Sequence, residues 1–211
     1  MRKTRGSVPV IGVGGAIGSG KSSVASLFLA HQATIIDLDR LSRDLSQKGR
    51  RLWKEIIIAF GPSFLNHRGE INRKKLGRVV FKNWKALFLL NQITHPILRS
   101  KTIKLIQHHY PSKMIVIDGA VLYEAQLLSL VDCLIFVDSP EEQRFKRLSQ
   151  KDCSTNDILA RMKSQRFISC LRRRSDIIIE NNTTPEELRK KIDCICQFTS
   201  GNQITSYQKT R

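Results

Sequence analysis

The clearest chemical signal in this chain is a glycine-rich loop, Gly15-Ala16-Ile17-Gly18-Ser19-Gly20-Lys21-Ser22, which fits G-x-x-x-x-G-K-[ST] at every fixed position. Glycines permit the tight turn whose backbone N–H groups point at a phosphate, and a following helix adds its positive end. Lys21 is expected to reach the β- and γ-phosphates of ATP, and Ser22 to hold Mg²⁺. An apolar run precedes the loop and an amphipathic run follows it, which argues against a chance glycine turn. We therefore expect ATP to contact this loop and the adjoining Ser23.

Carboxylates near the end of the second predicted strand could take part in proton transfer. Asp37 and Asp39 lie in Ile35-Ile36-Asp37-Leu38-Asp39, and residues two apart on an extended strand point to the same side. Both are therefore expected to face the loop, where one could accept a proton from an attacking hydroxyl. The alternative is that one of them caps the following helix.

A metal-binding carboxylate is expected after one of the next two strands. Asp118 ends the third predicted strand and Asp138 follows the fourth. We favour Asp118, because the residues from Asp138 to Pro140 are typical of a helix cap followed by proline in the first turn. Glu124 either faces the same cleft or starts the next helix.

Basic residues cluster at 40–54, 68–85 and 141–174. The third cluster is typical of a mobile lid, in which cations stabilise a transferring phosphoryl group and closure excludes water. Its candidate residues are Arg144, Arg147, Lys151, Arg161, Lys163 and Arg166. Many of the basic side chains must instead lie on solvated helix faces, because one site cannot use them all.

The elements that must position these residues follow from the apolar pattern. Apolar runs predict strands at 8–14, 34–37, 114–118, 133–137 and 177–180, and helical patterns between them are typical of a parallel sheet with crossover helices. Helices are predicted at 21–31, 50–60, 73–81, 84–94, 97–109, 156–167 and 185–196. Residues 40–111 are too many for an ordinary crossover, so they predict an inserted helical subdomain.

The composition limits the class of protein. The 211 residues carry 36 Lys and Arg against 18 Asp and Glu, a net charge of +18. This charge favours an anionic partner, but no stacking platform or recognition helix indicates specific nucleic-acid binding. No apolar run approaches the roughly 20 residues of a membrane span. Five scattered cysteines are typical of free thiols, so a cytoplasmic location is expected.

Several segments, taken in order, resemble those of bacterial dephospho-CoA kinases, and the resemblance covers about residues 10–188. The loop is shared by many kinases. Far more specific are, in this order, the Asp37-Leu38-Asp39 segment, the Leu90-to-Ile97 segment including His95, and the segment within 175–182 that ends at Asn181. The other matching residues are Arg43, residues 60–61, residues 69–76 including Arg73, residues 80–81, residues 118–124, Gln143 to Arg147, and Ala160-Arg161-Met162 with Gln165.

The resemblance implies an α/β fold of the P-loop NTPase, nucleotide kinase-like type, with three layers and a parallel sheet of about five strands. The implied core comprises residues 8–39, 112–140 and 175–200, with a helical CoA-substrate subdomain at 40–111, a lid at 141–174 and a flexible tail at 201–211. The implied reaction is ATP-dependent phosphorylation of the ribose 3′-hydroxyl of dephospho-CoA, with Mg²⁺, by a monomer or small homo-oligomer.

The resemblance also implies roles for individual residues. Asp39 matches the general base, and Lys21 and Ser22 match the phosphate and magnesium contacts. Asn181 lies where the adenine of ATP is expected. The lid cations are Arg147, Lys151 and Arg161, and the substrate side has Asp37, Arg73, His95, Asp118 and Glu124.

Four positions depart from the family pattern. Gly14 replaces a usual Thr and Ala16 a usual Gly, so strain is expected if Ala16 needs a positive φ. Residues 119–120 lack the usual proline after Asp118, which leaves the shape of that turn open. Lys151 replaces a frequent arginine, which exchanges a two-pronged donor for a point charge.

Overall fold

The computed structural model describes residues 8–109, 112–150, 154–182 and 184–200. The predicted tail at 201–211 and the predicted lid cation Lys151 lie outside the described residues.

Five parallel strands form the central sheet in the order β2-β3-β1-β4-β5. Their bounds are β1 Val10–Gly15, β2 Ala33–Asp37, β3 Met114–Asp118, β4 Cys133–Asp138 and β5 Ile177–Glu180. The strands β1 and β3 are buried along their whole length, as expected for strands covered on both faces. The predicted α/β fold with a five-stranded parallel sheet is confirmed.

The register of the sheet brings the predicted chemistry to one edge. Asp118 pairs with Val13 of β1 and with Asp37 of β2. The carboxyl ends of these strands therefore lie together, next to the loop that leaves β1. Ligands of open α/β sheets bind at this edge.

The described helices are α1 Lys21–Leu27, α2 Leu38–Leu45, α3 Arg51–Phe60, α4 Arg73–Val80, α5 Trp84–His108, α6 Glu141–Ser149, α7 Thr155–Ser164, α8 Ile168–Arg174 and α9 Pro185–Ser200. The predicted break of α5 at Pro96 is wrong. Proline has no N–H to donate to the carbonyl four residues earlier, which is that of Gln92. Pro96 and Gln92 are both exposed, so this carbonyl can face solvent. Apolar neighbours on both sides, Ile93, Ile97 and Leu98, are packed into cores, and this packing offsets the roughly 3 kcal/mol that proline costs inside a helix.

The sheet is covered on both faces, and the helical insertion has a core of its own. The helices α1 and α9 pack on one face, and α2, the second half of α5 and α8 pack on the other. A separate apolar cluster joins α3, α4 and the first half of α5 around Leu52, Ile56 and Leu76. Among the described residues, no helix has both the length and the apolar character needed to cross a bilayer.

The helix α8 was not predicted, and it lies within the range expected to form a lid. Leu171 of α8 is 1% exposed and belongs to the core beneath the sheet. This helix is therefore part of the packed layer against β1 and β4, whereas α6 and α7 lie beyond the carboxyl edge of the sheet.

Candidate active site

The glycine-rich loop runs from the end of β1 to the start of α1 at Lys21, as its motif predicts. Gly15, Gly18 and Gly20 have φ values of 154°, 80° and 89°, a region that side chains rarely adopt. A Cβ at Gly15 would collide with the carbonyl of Val137, and one at Gly20 would collide with the amide of Asn181. The glycines are thus required both by conformation and by close neighbours.

Two departures from the family pattern have a structural explanation. Gln32 and Gln126 are the non-glycine residues with positive φ in the described part of the chain, so Ala16 is not strained in the way expected. A Cβ at Gly14 would lie 2.7 Å from Leu171 Cδ2. Leu171 of α8 therefore occupies the space that a threonine at position 14 would need.

Lys21, Ser22 and Asp118 lie together below the loop. The Lys21 ammonium donates to the carbonyl of Ala16 at 3.2 Å, which leaves it within the loop that would cradle phosphates. Asp118 is 4% exposed. Burial raises the pKa of its carboxyl, although the hydrogen bond with Ser22 and the charge of Lys21 lower it; the charges of Asp37 and Asp39 raise it further.

The fit of a magnesium ion rests on one unsatisfied atom. Asp118 Oδ1 is buried and has no hydrogen-bond partner, a costly state for a carboxylate oxygen. A hard cation beside Ser22 would satisfy it. The described residues contain no group of three or more His, Cys, Asp or Glu side chains placed to hold a metal. Beside a nucleotide, Mg²⁺ generally binds through one or two carboxylates together with phosphate oxygens and water.

Asp138, the alternative metal carboxylate, has protein partners at both oxygens. Oδ1 accepts from the Ser139 N–H at 2.9 Å and Oδ2 accepts from Arg172 Nε at 3.1 Å. The helix α6 begins after Pro140 with no side-chain cap, so the cap predicted from this segment is wrong. The geometry favours Asp118 over Asp138 as the metal-facing carboxylate.

Asp118→Asn should raise the melting temperature of the ligand-free protein at pH 7, because it removes a buried charge. Each ~1 kcal/mol that this adds to the free energy of unfolding corresponds to roughly 2–4 °C. The raised pKa means that the folded state binds the proton more tightly than the unfolded chain. The stability of the carboxylate form therefore falls as pH rises from the ordinary value of 3.8 through the raised one. Thermal melts at pH 3 and pH 7 test this, because the gain should vanish at the lower pH.

Asp138→Asn is the matched control for that experiment. Its carboxylate is already paired with Arg172, so no gain in melting temperature is expected at either pH. An Asp118→Asn protein that melts at or below the wild-type temperature at pH 7 would contradict the argument.

Asp37, at the end of β2, and Asp39, on α2, are in different settings. Asp37 caps α2, and its Oδ1 accepts from the Arg40 N–H at 3.0 Å. Asp39 lies in the first turn of α2 and is exposed. The prediction that Asp37 and Asp39 lie two apart on an extended strand is therefore wrong, because α2 starts at Leu38. The alternative that one of the pair caps the helix is confirmed.

Arg147 holds the loop through hydrogen bonds to its backbone carbonyls. Its Nη1 donates to the carbonyls of Gly18 and Ser19 at 3.2 Å each and to Ser139 Oγ at 3.1 Å, and its Nη2 donates to the carbonyl of Asn181 at 2.8 Å. The Asn181 amide also donates to the Ser19 carbonyl at 2.8 Å. In this arrangement Arg147 and Asn181 hold loop backbone, whereas the sequence predicted contacts with phosphate and adenine.

Gln165 is a site residue that the sequence did not single out for a role, although it stands in a segment shared with the family. Its Oε1 accepts the backbone N–H of Ile17, at the tip of the loop, at 2.8 Å. The side chain follows α7 directly. The loop is therefore attached to the end of α7 as well as to Arg147.

Gln165→Ala should weaken ATP binding by about tenfold, since the lost bond holds one N–H of the phosphate-binding loop and a tenfold change equals ~1.4 kcal/mol. Gln197→Ala is the matched control, because Gln197 is exposed on α9 in the other layer. Titration calorimetry with ATP compares the variants. Equal affinities for ATP in both would show that the contact with Ile17 does not order the loop.

Arg161 and Arg73 flank the gap between α7 and the helical subdomain. The Arg161 guanidinium lies 5.4 Å from the Phe81 ring centroid. Arg73 Nη2 donates to Ser46 Oγ at 2.6 Å and to the Arg43 carbonyl at 3.2 Å. Burial lowers the pKa of Arg73, and the nearby charge of Arg43 lowers it further.

His95 and Glu124 lie together in a separate cleft of about 1170 Å³ between α5 and residues 123–129. Burial lowers the pKa of His95, partly opposed by a hydrogen bond with the Glu124 backbone, and burial raises the pKa of Glu124. The structure thus brings these two predicted substrate residues together, apart from the Lys21–Asp118 cluster.

Comparison with known proteins agrees with this site. The family model described as dephospho-CoA kinase matches residues 9–187. This chain belongs to the dephospho-CoA kinase family. The dephospho-CoA kinase of Carboxydothermus hydrogenoformans is 37% identical over 193 residues, which are 90% of this chain and 94% of that protein.

Solved structures support the same fold for this member of the dephospho-CoA kinase family. A Thermus thermophilus protein superposes with a TM-score of 0.74 at 25% identity, over 92% of this chain and all of that one. The dephospho-CoA kinase from Campylobacter jejuni superposes with a TM-score of 0.63 at 24% identity, over 90% of this chain and 96% of that one. As a member of the dephospho-CoA kinase family, this protein is a kinase that uses ATP as a substrate.

Proposed function

We propose that the protein transfers the γ-phosphoryl group of ATP to the ribose 3′-hydroxyl of 3′-dephospho-CoA, giving coenzyme A and ADP, the last step of coenzyme A biosynthesis. The observation that carries the proposal is the meeting of the phosphate-binding loop, Asp118 and the first turn of α2 at one edge of the sheet. A phosphoryl donor and a hydroxyl acceptor can approach each other there.

Asp39 is the group that takes the proton of the acceptor. It is exposed on the first turn of α2, and Asp37 rather than Asp39 caps that helix. The charge of Asp39 raises the pKa of Asp118. Asp37 is less suited, because its Oδ1 already holds the Arg40 N–H. Asp39 therefore orients the 3′-hydroxyl and deprotonates it as the phosphoryl group is transferred in line.

The loop and its lysine hold the triphosphate. Inward backbone N–H groups and Lys21 balance charge on the β- and γ-phosphates, while Arg147, Asn181 and Gln165 fix the loop that presents them. Ser22 and Asp118 are the residues that would hold Mg²⁺, which supplies positive charge to the phosphates when bound. Ordered donors of this kind act where charge develops in the transition state.

Different parts of the chain bind the nucleotide, receive the acceptor and form the lid. Residues 8–39, 112–140 and 175–200 bind the nucleotide, and residues 40–111 receive the acceptor on the side of Arg73, His95 and Glu124. The proposed lid is best confined to the part of 141–174 that precedes α8, because Leu171 anchors α8 in the core. Arg161 on α7 is the cation best placed to approach a phosphoryl group when that segment closes.

The reaction also suggests where the enzyme works. ATP is abundant in the cytoplasm, and Cys133, Cys170 and Cys194 are free thiols, as in a reducing compartment. A cytoplasmic location is proposed on these grounds.

A panel of acceptors tests the function. Purified protein with ATP and Mg²⁺ is given dephospho-CoA, a set of nucleosides or shikimate, and ADP release is measured. Dephospho-CoA should be the strongly preferred acceptor, and the product should carry phosphate at the 3′-hydroxyl. Turnover of a nucleoside with dephospho-CoA inert would refute the proposal.

A further inference from the structure

A groove of about 230 Å³ lies on the helical subdomain, where the start of α3 meets the later part of α5. Three of the side chains that line it are cations, Arg51 of α3 and Lys101 and Lys104 of α5. The other described residues of the lining are uncharged. The groove is therefore a positively charged channel between two packed helices.

More basic residues extend this charge around the start of α3. Lys48 and Arg50 directly precede the helix, and the Arg50 N–H donates to the Gln47 carbonyl at 3.0 Å, which keeps this turn tight. Lys54 follows Arg51 by nearly one helical turn and is exposed. We call this set the basic face; it consists of Lys48, Arg50, Arg51, Lys54, Lys101 and Lys104.

Carboxylates offset little of the charge of the basic face. Arg51 Nε lies 3.6 Å from Glu55 Oε1, and this is the one ion pair that the basic face makes within the described ranges. The Arg51 side chain is nevertheless 80% exposed, and exposed ion pairs are weak. Lys48 Nζ donates to the Arg68 carbonyl at 3.1 Å, which is a neutral partner. Most of the positive charge is therefore left for a ligand.

The arrangement of these cations suits an extended polyanion. Lys101 and Lys104 are about 4.5 Å apart along the axis of α5, and Arg51 and Lys54 are equally spaced along α3. Each strand of a nucleic acid carries one phosphate per about 3.4 Å of helix axis. Arginine offers paired donors to phosphate oxygens, and lysine adds point charges. A strand that lies in the groove would meet cations from both helices.

The same features separate a nucleic-acid strand from a membrane surface. The cations line a groove, which a single strand can enter and a flat bilayer cannot. On α3 and the later part of α5, the described residues offer one exposed large apolar side chain for insertion into lipid, Ile58. The described lining also contains no aromatic ring on which a base could stack. Contact with the phosphates alone carries no sequence information.

We propose that the basic face binds single-stranded nucleic acid through its phosphate backbone, without sequence preference. This binding is a property of the helical subdomain and does not depend on the proposed phosphoryl transfer. It gives part of the surplus of basic residues at 40–54 a role.

The proposal is tested by the anisotropy of a short labelled oligouridylate with the double variant Arg51→Gln, Lys101→Gln. Both side chains are exposed, and neither borders the cleft of His95 and Glu124, as Lys104 does. The Kd should be at least about tenfold weaker than that of the wild type. The slope of log affinity against log salt should become shallower by about 1.4, since each lost phosphate contact on a single strand contributes ~0.7. Unchanged affinity would overturn the proposal.

Lys190→Gln with Lys191→Gln is the matched control, because it removes the same charge elsewhere. Both lysines are exposed on α9, which packs on the other side of the sheet. The Kd for oligouridylate should stay within about twofold of the wild-type value. A loss equal to that of the groove variant would mean that overall charge alone attracts the strand, and the basic face would not be a site.

Competition experiments at constant ionic strength separate the basic face from other places that could hold phosphate. ATP and dephospho-CoA at saturating concentrations should leave the Kd for oligouridylate within about twofold. Displacement by either would place the strand in the active site and overturn the proposal. Oligothymidylate should bind as tightly as oligouridylate, because its phosphates are the same; a preference above about tenfold would contradict binding through the backbone.

Vesicles of phosphatidylglycerol and phosphatidylcholine test the membrane alternative. They should not compete with oligouridylate for the wild-type protein. Vesicle binding that is lost in Arg51→Gln, Lys101→Gln, while binding of oligouridylate is kept, would assign the basic face to an anionic bilayer and refute the proposal.

Discussion

Asp39→Asn should lower kcat with dephospho-CoA by about 10²–10⁴-fold, the range that general-base catalysis contributes. The affinity for ATP should stay within about twofold, because Asp39 lies on α2, outside the loop that would hold the triphosphate. The amide keeps the shape of the carboxylate but cannot accept the proton of the 3′-hydroxyl. Single-turnover phosphoryl transfer and calorimetric ATP binding, measured on one preparation, separate the two effects.

Asp37→Asn is the matched control, since it removes the same charge two residues away. Asparagine caps helices as well as aspartate does, so the bond with the Arg40 N–H can be kept and α2 should start at the same place. A fall in kcat much smaller than that of Asp39→Asn is expected. Near wild-type turnover in Asp39→Asn, or an equal loss in Asp37→Asn, would reassign the base.

The local features of this site could be predicted from the sequence because short-range patterns determine them. The loop motif predicts the turn between β1 and α1, and apolar runs predict all five strands. The edge of the sheet that collects Asp37 and Asp118 follows from parallel pairing. Each of these inferences depends on neighbours along the chain or on the geometry common to all parallel sheets.

The long-range hydrogen bonds that hold the loop could not be predicted in the same way. Gln165 meets Ile17, and Arg147 meets Gly18, across long stretches of chain, and no periodicity reports such contacts. The position of Asp39 depended on where α2 begins, which a single cap decided. The course of α5 through Pro96 depended on two separate cores that hold the helix on both sides. Tertiary packing decided each of these features.

Lys21→Ala should reduce turnover by at least about 10³-fold, a larger loss than one neutral donor would give, because a full charge is removed from the triphosphate as its γ-phosphoryl leaves. The affinity for ATP should also fall, which distinguishes this variant from Asp39→Asn. Lys21 lies at the start of α1 and donates back to Ala16 within the loop. Calorimetry with ATP and Mg²⁺, beside steady-state kinetics, measures both effects.

The same substitution should act on Asp118, and this gives a readout that does not depend on activity. The charge of Lys21 lowers the pKa of the Asp118 carboxyl, against the larger effect of burial. Its removal should raise that pKa further, so more of the stability of the ligand-free protein is lost as pH rises through the widened window. The melting temperature of Lys21→Ala, measured from pH 4 to pH 8, should therefore fall more steeply than that of the wild type. In the double variant with Asp118→Asn the extra slope should disappear.

Lys190→Ala is the control for the loss of one lysine. Lys190 is exposed on α9, and its removal should change neither the turnover nor the slope of melting temperature with pH. If Lys21→Ala keeps wild-type turnover, the loop does not hold the transferring phosphate. If turnover is lost but the slope of melting temperature with pH is unchanged, Lys21 acts on the nucleotide but its charge does not lower the pKa of Asp118. That result would contradict the electrostatic effect expected from the position of both residues at the edge of the sheet.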